Sequence, residues 1–236
     1  MIDTSFNVFS DANGGDPDVT SPTLRRYHTL LWRKRLPSGE LFDLRDDKPG
    51  CYLFYSSPSE TFSLGSDAIT NSYKHQMKKK WLTTQIPEVV QDLFNRGSTI
   101  GAYLIFPNNQ INRKHTINQA RGIHPLIDDR FDLTLECIRR YYIDKPNPLA
   151  ETLRRYASFF KLFESFEYYI EFFLLNDLVD QQGNIRFYLP FDDFQSPPEF
   201  RSVEDYVIYR DRVVEFINER NRRIEEYARY LERKTN

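Results

Sequence analysis

Residues 99–122 read TIGAYLIFPNNQINRKHTINQARG, and the change of character at Pro107 divides the chain into two parts. TIGAYLIFP (Thr99–Pro107) is apolar on both faces of an extended chain, which predicts a strand at the centre of its sheet. Residues 108–122 are mostly polar and read as a loop. Upstream, from Arg25 to about Phe106, the pattern is strand-like. CYLFYSS (Cys51–Ser57) is rich in strand-forming aromatics and bounded by Pro49-Gly50 and Pro58. RRYHTLLWRKRLP (Arg25–Pro37) reads as an edge strand with Leu30 and Trp32 turned inward and its five cations in water, or as cations interleaved with Tyr27, His28 and Trp32 that track a nucleic-acid backbone and stack bases. Pro87 opens a short helix, PEVVQDLFNRG, that Gly97 closes.

Downstream the period becomes helical. Ile127, Phe131, Leu135, Ile138 and Tyr142 make one stripe of a helix over about 126–142. Asn147-Pro148 reads as N-cap and first turn of a second helix, with Leu149, Leu153, Tyr156, Phe160 and Phe163 inward. FEYYIEFFLLNDLV (Phe166–Val179) is apolar nearly all round and is expected to be the most buried element. A strand, NIRFYLPF, is predicted after Gly183. Ser202, with Asp205 in the capping-box position, starts the longest helix, whose stripe is Tyr206, Val213, Ile217, Ile224 and Leu231. About thirty residues at 1.5 Å each give roughly 45 Å, enough to bend around the body or reach a partner.

These patterns predict an α+β fold: an N-terminal mixed or antiparallel sheet (about 24–106, plus a strand near 185–189) packed against a C-terminal helical layer with a long terminal helix. Residues 1–23, rich in Asp, Asn, Gly, Ser and Pro, read as an irregular arm, and 24–236 as a single domain. The competing division places a boundary near 108–125.

Composition bounds the function. The chain has 236 residues, 32 Lys plus Arg against 34 Asp plus Glu, and a formal charge of −2, which argues against a protein that coats nucleic acid. Mean hydropathy is −0.62, and no run approaches the ~20 apolar residues of a membrane helix. Aromatics make up 15% of the chain, so the core is expected to be aromatic-rich. Two distant cysteines, Cys51 and Cys137, support neither a disulfide framework nor a thiolate zinc site, and MIDTSFNVFSDANGG lacks the pattern of a signal peptide. The expected address is cytoplasmic. P-loop, dinucleotide-binding, H-E-x-x-H and G-x-S-x-G motifs are absent, and no histidine follows the R-x(4–6)-H spacing of helical ribonucleases.

The densest polar constellation runs from Asn108 to Arg140, at the end of the strongest strand. Asp128, Asp132 and Glu136 recur every four residues, a face that suits a metal or a catalytic carboxylate, or acids neutralised by Arg139 and Arg140. His115 and His124 could supply acid and base, with Arg121 or Lys114 stabilising developing charge. The residues assigned catalytic roles are His115, Asp132 and Glu136. Arg26, His28, Asn118, Arg121 and Arg130 are assigned to ligand binding, with no metal site and no specified cofactor. Arg121, beside Gly122, either binds an anion bidentately or tethers the loop to Asp128 or Asp132. MKKKW (Met77–Trp81) and NSYKHQMKKK add a basic cluster, and ERNRRIEEYARYLERK reads as a solvated helix face.

Two function classes arise from these readings. In one, an enzyme or ligand-binding protein acts on a nucleotide or nucleic-acid phosphate, and His115, Asn118, Arg121 and Asp132 meet in one pocket with Arg26 or His28. In the other, a non-enzymatic interaction protein docks through the long C-terminal helix, as in a homodimer, and that helix exposes a contiguous apolar patch.

PTLRRYHTLLWRKRLP, TIGAYLIFP, HTINQARG, DRFDLTLECIRRYY, FFLLNDLV and RNRRI together resemble a bacterial family of uncharacterised proteins, over about Phe6 to Ile224. The resemblance implies one co-folded unit in a bacterial cytoplasm and supplies no catalytic residue.

Overall fold

The computed structural model describes residues 2–57, 60–70 and 79–235. Strands β1 (Leu53–Ser56), β2 (Thr61–Ala68) and β3 (Tyr103–Pro107) pair antiparallel in the order β1-β2-β3. Leu53 lies opposite Leu64, and Leu64 opposite Pro107. β3 is therefore an edge strand and not the expected central one, although all five of its residues are buried. Other elements cover it. Arg220, from the C-terminal helix, donates Nη1 to the carbonyls of Gly101 and Tyr103 (2.8 Å each).

The N-terminal segment corrects the expectation of an irregular arm. A 3-10 turn (Val8–Asp11) and helix α1 (Pro17–Thr20) are capped by the side chains of Asn7 and Asp16, and Ile2, Val8 and Ala12 are buried. The Asp, Asn, Ser and Pro residues that read as loop composition act here as caps for single turns. Residues 22–32 are also helical and not an edge strand. Ser21 accepts from the Leu24 amide and Pro22 occupies the first turn of α2 (Pro22–Trp32). Leu24, Tyr27, His28, Leu31 and Trp32 form its buried face, while Leu30, expected inward, is exposed. The i, i+3, i+4, i+7, i+8 spacing was available in the sequence and outweighs the aromatic strand preference.

Helices α3 (Lys80–Thr83) and α4 (Pro87–Arg96) precede β3, and Gly97 closes α4 as expected. Of the basic cluster, residues 71–78 lie outside the described residues. After β3 come α5 (Ile117–Ile123), α6 (Phe131–Tyr142), α7 (Ala150–Arg155), α8 (Ala157–Lys161) and α9 (Phe166–Phe172). Among the described helices the longest unbroken buried stretch is Phe131–Ile138 of α6. The aromatic helix α9 buries Phe166, Tyr169, Ile170 and Phe172 but exposes Glu167, Tyr168 and Glu171. The expected strand near 185–189 reduces to one bridge, Val179 to Ile185, within a long irregular segment. Asp180 organises it by accepting from the Gln182 and Asn184 amides (2.9 and 2.8 Å), and Pro190, Pro197 and Pro198 interrupt any ladder.

Helix α10 (Val203–Thr235) spans about 50 Å. Ser202 accepts from the Asp205 amide, while Asp205 reaches back to the Arg201 amide. Tyr206, Val213, Ile217 and Ile224 are buried along its stripe. Its polar face is not wholly solvated, because Arg220 is fully buried and also donates to the Phe173 carbonyl. Asn221 accepts from the Gly101 amide at 2.8 Å. Buried hydrophobic residues from Ile2 to Ala228 form one contiguous cluster. Among the described residues, no helix is long and apolar enough to cross a membrane.

Candidate ligand-binding site

The stretch expected to be a polar loop contains α5. Thr116 accepts from the Gln119 amide and Gln119 from the Thr116 amide, a capping box that starts the helix. The helix turns Ile117, Ala120 and Arg121 inward, which buries Arg121 completely. Its guanidinium is spent within the protein. Nη1 meets Asp67 Oδ2 of β2 at 2.9 Å and Asp129 Oδ1 at 2.7 Å. Nε donates to Thr134 Oγ1 (3.1 Å) and Nη2 to the Asp129 carbonyl (2.7 Å). Burial pushes the Asp67 carboxyl well above the usual carboxylate range, against the pull of Arg121.

Two further polar groups adjoin this hub, the buried His28 and the half-buried Asp18. Trp32 Nε1 donates to His28 Nδ1 (3.0 Å), which assigns the proton to Nε2 for donation to Ser66 Oγ (2.9 Å). Burial holds the imidazole pKa down to about 3, with Arg220 adding to the shift. On α1, burial raises the Asp18 carboxyl to about 7; Asp16 and Asp129 push the same way, and Ser66 and Arg121 oppose. Asp18 Oδ1 is sealed from solvent without a hydrogen-bond partner.

The hub fixes a turn. Asp128 and Asp129 both adopt left-handed backbone (φ 44° and 63°), a conformation costing about 1–2 kcal/mol for each non-glycine residue. Arg121 holds Asp129 by carboxylate and carbonyl, its own carbonyl accepts the Asp129 amide (3.1 Å), and Lys79 pairs with Asp128. The turn delivers Arg130 to the start of α6. Arg130 and Asp132 form a bidentate pair through Nε (3.1 Å) and Nη2, and Asp132 also accepts the Tyr188 amide (2.9 Å). Among the described residues, the Arg130 Nη1 edge makes no hydrogen bond.

Arg130 lines a cavity of about 260 Å³ between the start of α6 and the Pro190–Arg201 segment. Leu126, Leu133, Leu189, Phe191 and Phe194 supply apolar walls. Glu136 braces that wall from behind. Both its oxygens are held, by Arg139 (2.7 and 2.9 Å) and Arg140 (2.7 Å), and the Arg140 guanidinium stacks over Phe191 and Phe194 at 5.7 and 5.0 Å. A second cavity, of about 500 Å³, lies across Pro197 and Pro198 and is lined by Lys79, Trp81, Ile123, His124 and Asp128. There His124 Nδ1 accepts the Leu126 amide (3.2 Å), and burial lowers its pKa.

The structure thus links Arg121, Arg130 and Asp132 through Thr134, with His28 beyond Ser66, while Glu136 is held separately by Arg139 and Arg140. It does not bring in the others. His115 and Asn118 are exposed on the far end of α5, where the His115 carbonyl accepts from Arg155 (2.8 Å). Arg26 is exposed and lies over the Tyr27 ring at 5.5 Å. Asp128 is not on the helical face with Asp132 and Glu136, because α6 begins only at Phe131. Sequence reasoning missed Asp18, Ser66, Asp67 and the cavity wall, and gave Asp129 no role of its own. Among the described residues, no group of three His, Cys, Asp or Glu side chains could hold a metal ion. Among the described residues, the exposed large hydrophobics of α10 are Ile208 and Tyr230, about 33 Å apart along the axis, and they do not adjoin each other.

A family model matches residues 2–224, nearly the whole chain. The chain belongs to DUF6994, a family of unknown function. No curated protein and no solved structure matches it.

Proposed function

We propose that the chain is a ligand-binding protein whose site is the cavity beside Arg130, and that its ligand presents a carboxylate to Nη1 and an apolar body to Leu133, Leu189, Phe191 and Phe194. One observation carries this reading: in Arg130, a residue 2% exposed, Asp132 takes the Nε and Nη2 side of the guanidinium and leaves Nη1 uncommitted, and the residue lines an apolar-walled cavity. Small-ligand sites have this composition, a mostly apolar wall with a few oriented polar groups. Locking by Asp132 and Glu136 lowers the ordering cost of binding.

The same geometry weighs against a nucleotide or nucleic-acid phosphate. A dianion calls for several uncommitted cations, yet Arg121 serves Asp67 and Asp129 and Arg130 already shares its charge with Asp132, which leaves Arg201 as the one remaining cation of the cavity lining. The acid–base assignment to His115 and Glu136 also lacks support, since the first is remote from the cavity and the second is committed to two arginines.

A thermal-shift titration at pH 7 with hexanoate, inorganic phosphate and AMP tests the reading. At 100 times Kd a ligand adds about 2.7 kcal/mol, or roughly 5–11 °C for a chain of this size. Hexanoate is expected to give the shift, and Arg130→Lys to abolish it by removing the planar fork. A shift with phosphate or AMP and none with hexanoate would overturn the proposal.

A further inference from the structure

The charges at the cavity mouth do not match a simple anion. Besides Arg130 and Arg201, the lining contains Asp192, Glu199 and Asp205. Asp132 offsets Arg130 from behind, so the mouth carries a surplus of negative charge over the one remaining cation of that lining, Arg201. Not all of these acids are occupied alike. Asp192 accepts from the Gln195 amide (3.1 Å) and Ser196 Oγ (2.5 Å), which closes its own loop. Asp205 uses Oδ2 on the Arg201 amide (2.8 Å). The Glu199 carboxylate makes no hydrogen bond or ion pair among the described residues and is exposed at the rim.

Resting on the carboxylate-binding reading above, we infer that the cavity takes a small zwitterion, with its carboxylate on the Arg130 Nη1 edge, an aliphatic body between the Leu and Phe walls, and an ammonium group at Glu199 with Asp205 beside it. A carboxylate alone would enter a mouth that repels it. An amine alone would leave the Arg130 edge facing an apolar chain. A ligand with both charges satisfies the two ends, and the small volume sets its size at a single amino-acid-like molecule rather than a peptide or nucleotide. Each matched polar group also discriminates against the analogue that lacks it, because the site's own group is then left unpaired.

The test is calorimetry at pH 7 on the full chain with three probes of one length: 6-aminohexanoate, hexanoate and hexylamine. The zwitterion is expected to bind at least tenfold tighter than either singly charged probe. Glu199→Gln, at an exposed position whose carboxylate has no partner to lose, is expected to abolish that preference and, by removing one negative charge from the mouth, to raise rather than lower hexanoate affinity. Equal affinity for hexanoate and 6-aminohexanoate, or a Glu199→Gln variant that keeps the preference, would overturn the zwitterion inference while leaving the carboxylate site standing. Tightest binding of hexylamine, or binding of none of the three, would overturn both.

Discussion

Replacing Arg121 by Met should cost more stability than any surface change in this chain. The substitution removes the cation between Asp67 and Asp129, whose side chains are 10% and 7% exposed. It also removes the donors to Thr134 Oγ1 and the Asp129 carbonyl. Breaking a buried ion pair from one side costs about 3–5 kcal/mol, because a charge stays behind in a poorly solvating site. For a chain of this length that corresponds to a fall in Tm of roughly 6–20 °C. Arg121→Lys keeps the charge but cannot reach the carboxylates, the hydroxyl and the carbonyl together, so an intermediate loss of about 1–3 kcal/mol is expected. The penalty for Arg121→Met should shrink as pH falls, since burial already favours the neutral form of Asp67. Adding Asp67→Asn to Arg121→Met should recover part of the loss, with a coupling energy of about 0.5–3 kcal/mol. Urea unfolding at pH 5 and pH 7.5 measures all of this. A cost below about 1 kcal/mol for Arg121→Met at pH 7.5, or strict additivity with Asp67→Asn, would refute the hub.

Three further outcomes are expected. The folded chain keeps a proton on Asp18 up to about pH 7, whereas an ordinary Asp loses it near 3.8, so stability from this group falls as pH rises between those values; Asp18→Asn should flatten that slope and be more stable than wild type at pH 8 by urea unfolding. His28 has the opposite sign, because its folded pKa lies near 3 and its ordinary value is 6.5; its contribution is full above pH 6.5 and is lost as pH falls towards 3, and nitrogen-15 NMR should show the neutral Nε2–H tautomer at pH 5. Gly101→Ala would set a Cβ 2.5 Å from Asn221 Oδ1 and 2.7 Å from the Ile217 carbonyl, so overpacking of about 1–3 kcal/mol should appear as a lower Tm.

Much of the architecture was legible because burial imposes a period. Phe131, Leu135 and Ile138 and Tyr206, Val213, Ile217 and Ile224 are buried as their spacing requires, while Tyr142 and Leu231 at the stripe ends are half-buried and Ile127 is buried from the turn before α6. The errors came where composition stood in for period. Residues 25–32 carry aromatics that suit a strand, yet Leu24, Tyr27, His28 and Leu31 follow a helical face. The Asp-rich N-terminus resembled a loop because capping residues and loop residues are the same residues. Around the site, Arg121, Arg130, Asp132 and Glu136 were recognisable as a dense polar run. Their roles were not, since these depend on Asp67, 54 residues upstream of Arg121, and on Phe191 and Phe194, more than 50 residues beyond Glu136. Local sequence carries no record of such pairings.

The central claim is that Arg121 is a closed structural hub while Arg130 offers the ligand its open edge. Nitrogen-15 NMR of the arginine guanidinium groups, recorded while hexanoate is titrated into the full chain, observes both side chains at once. The account predicts that the Arg130 Nη1 signals move and saturate while those of Arg121 stay in place. Movement of the Arg121 signals with Arg130 unchanged would contradict it.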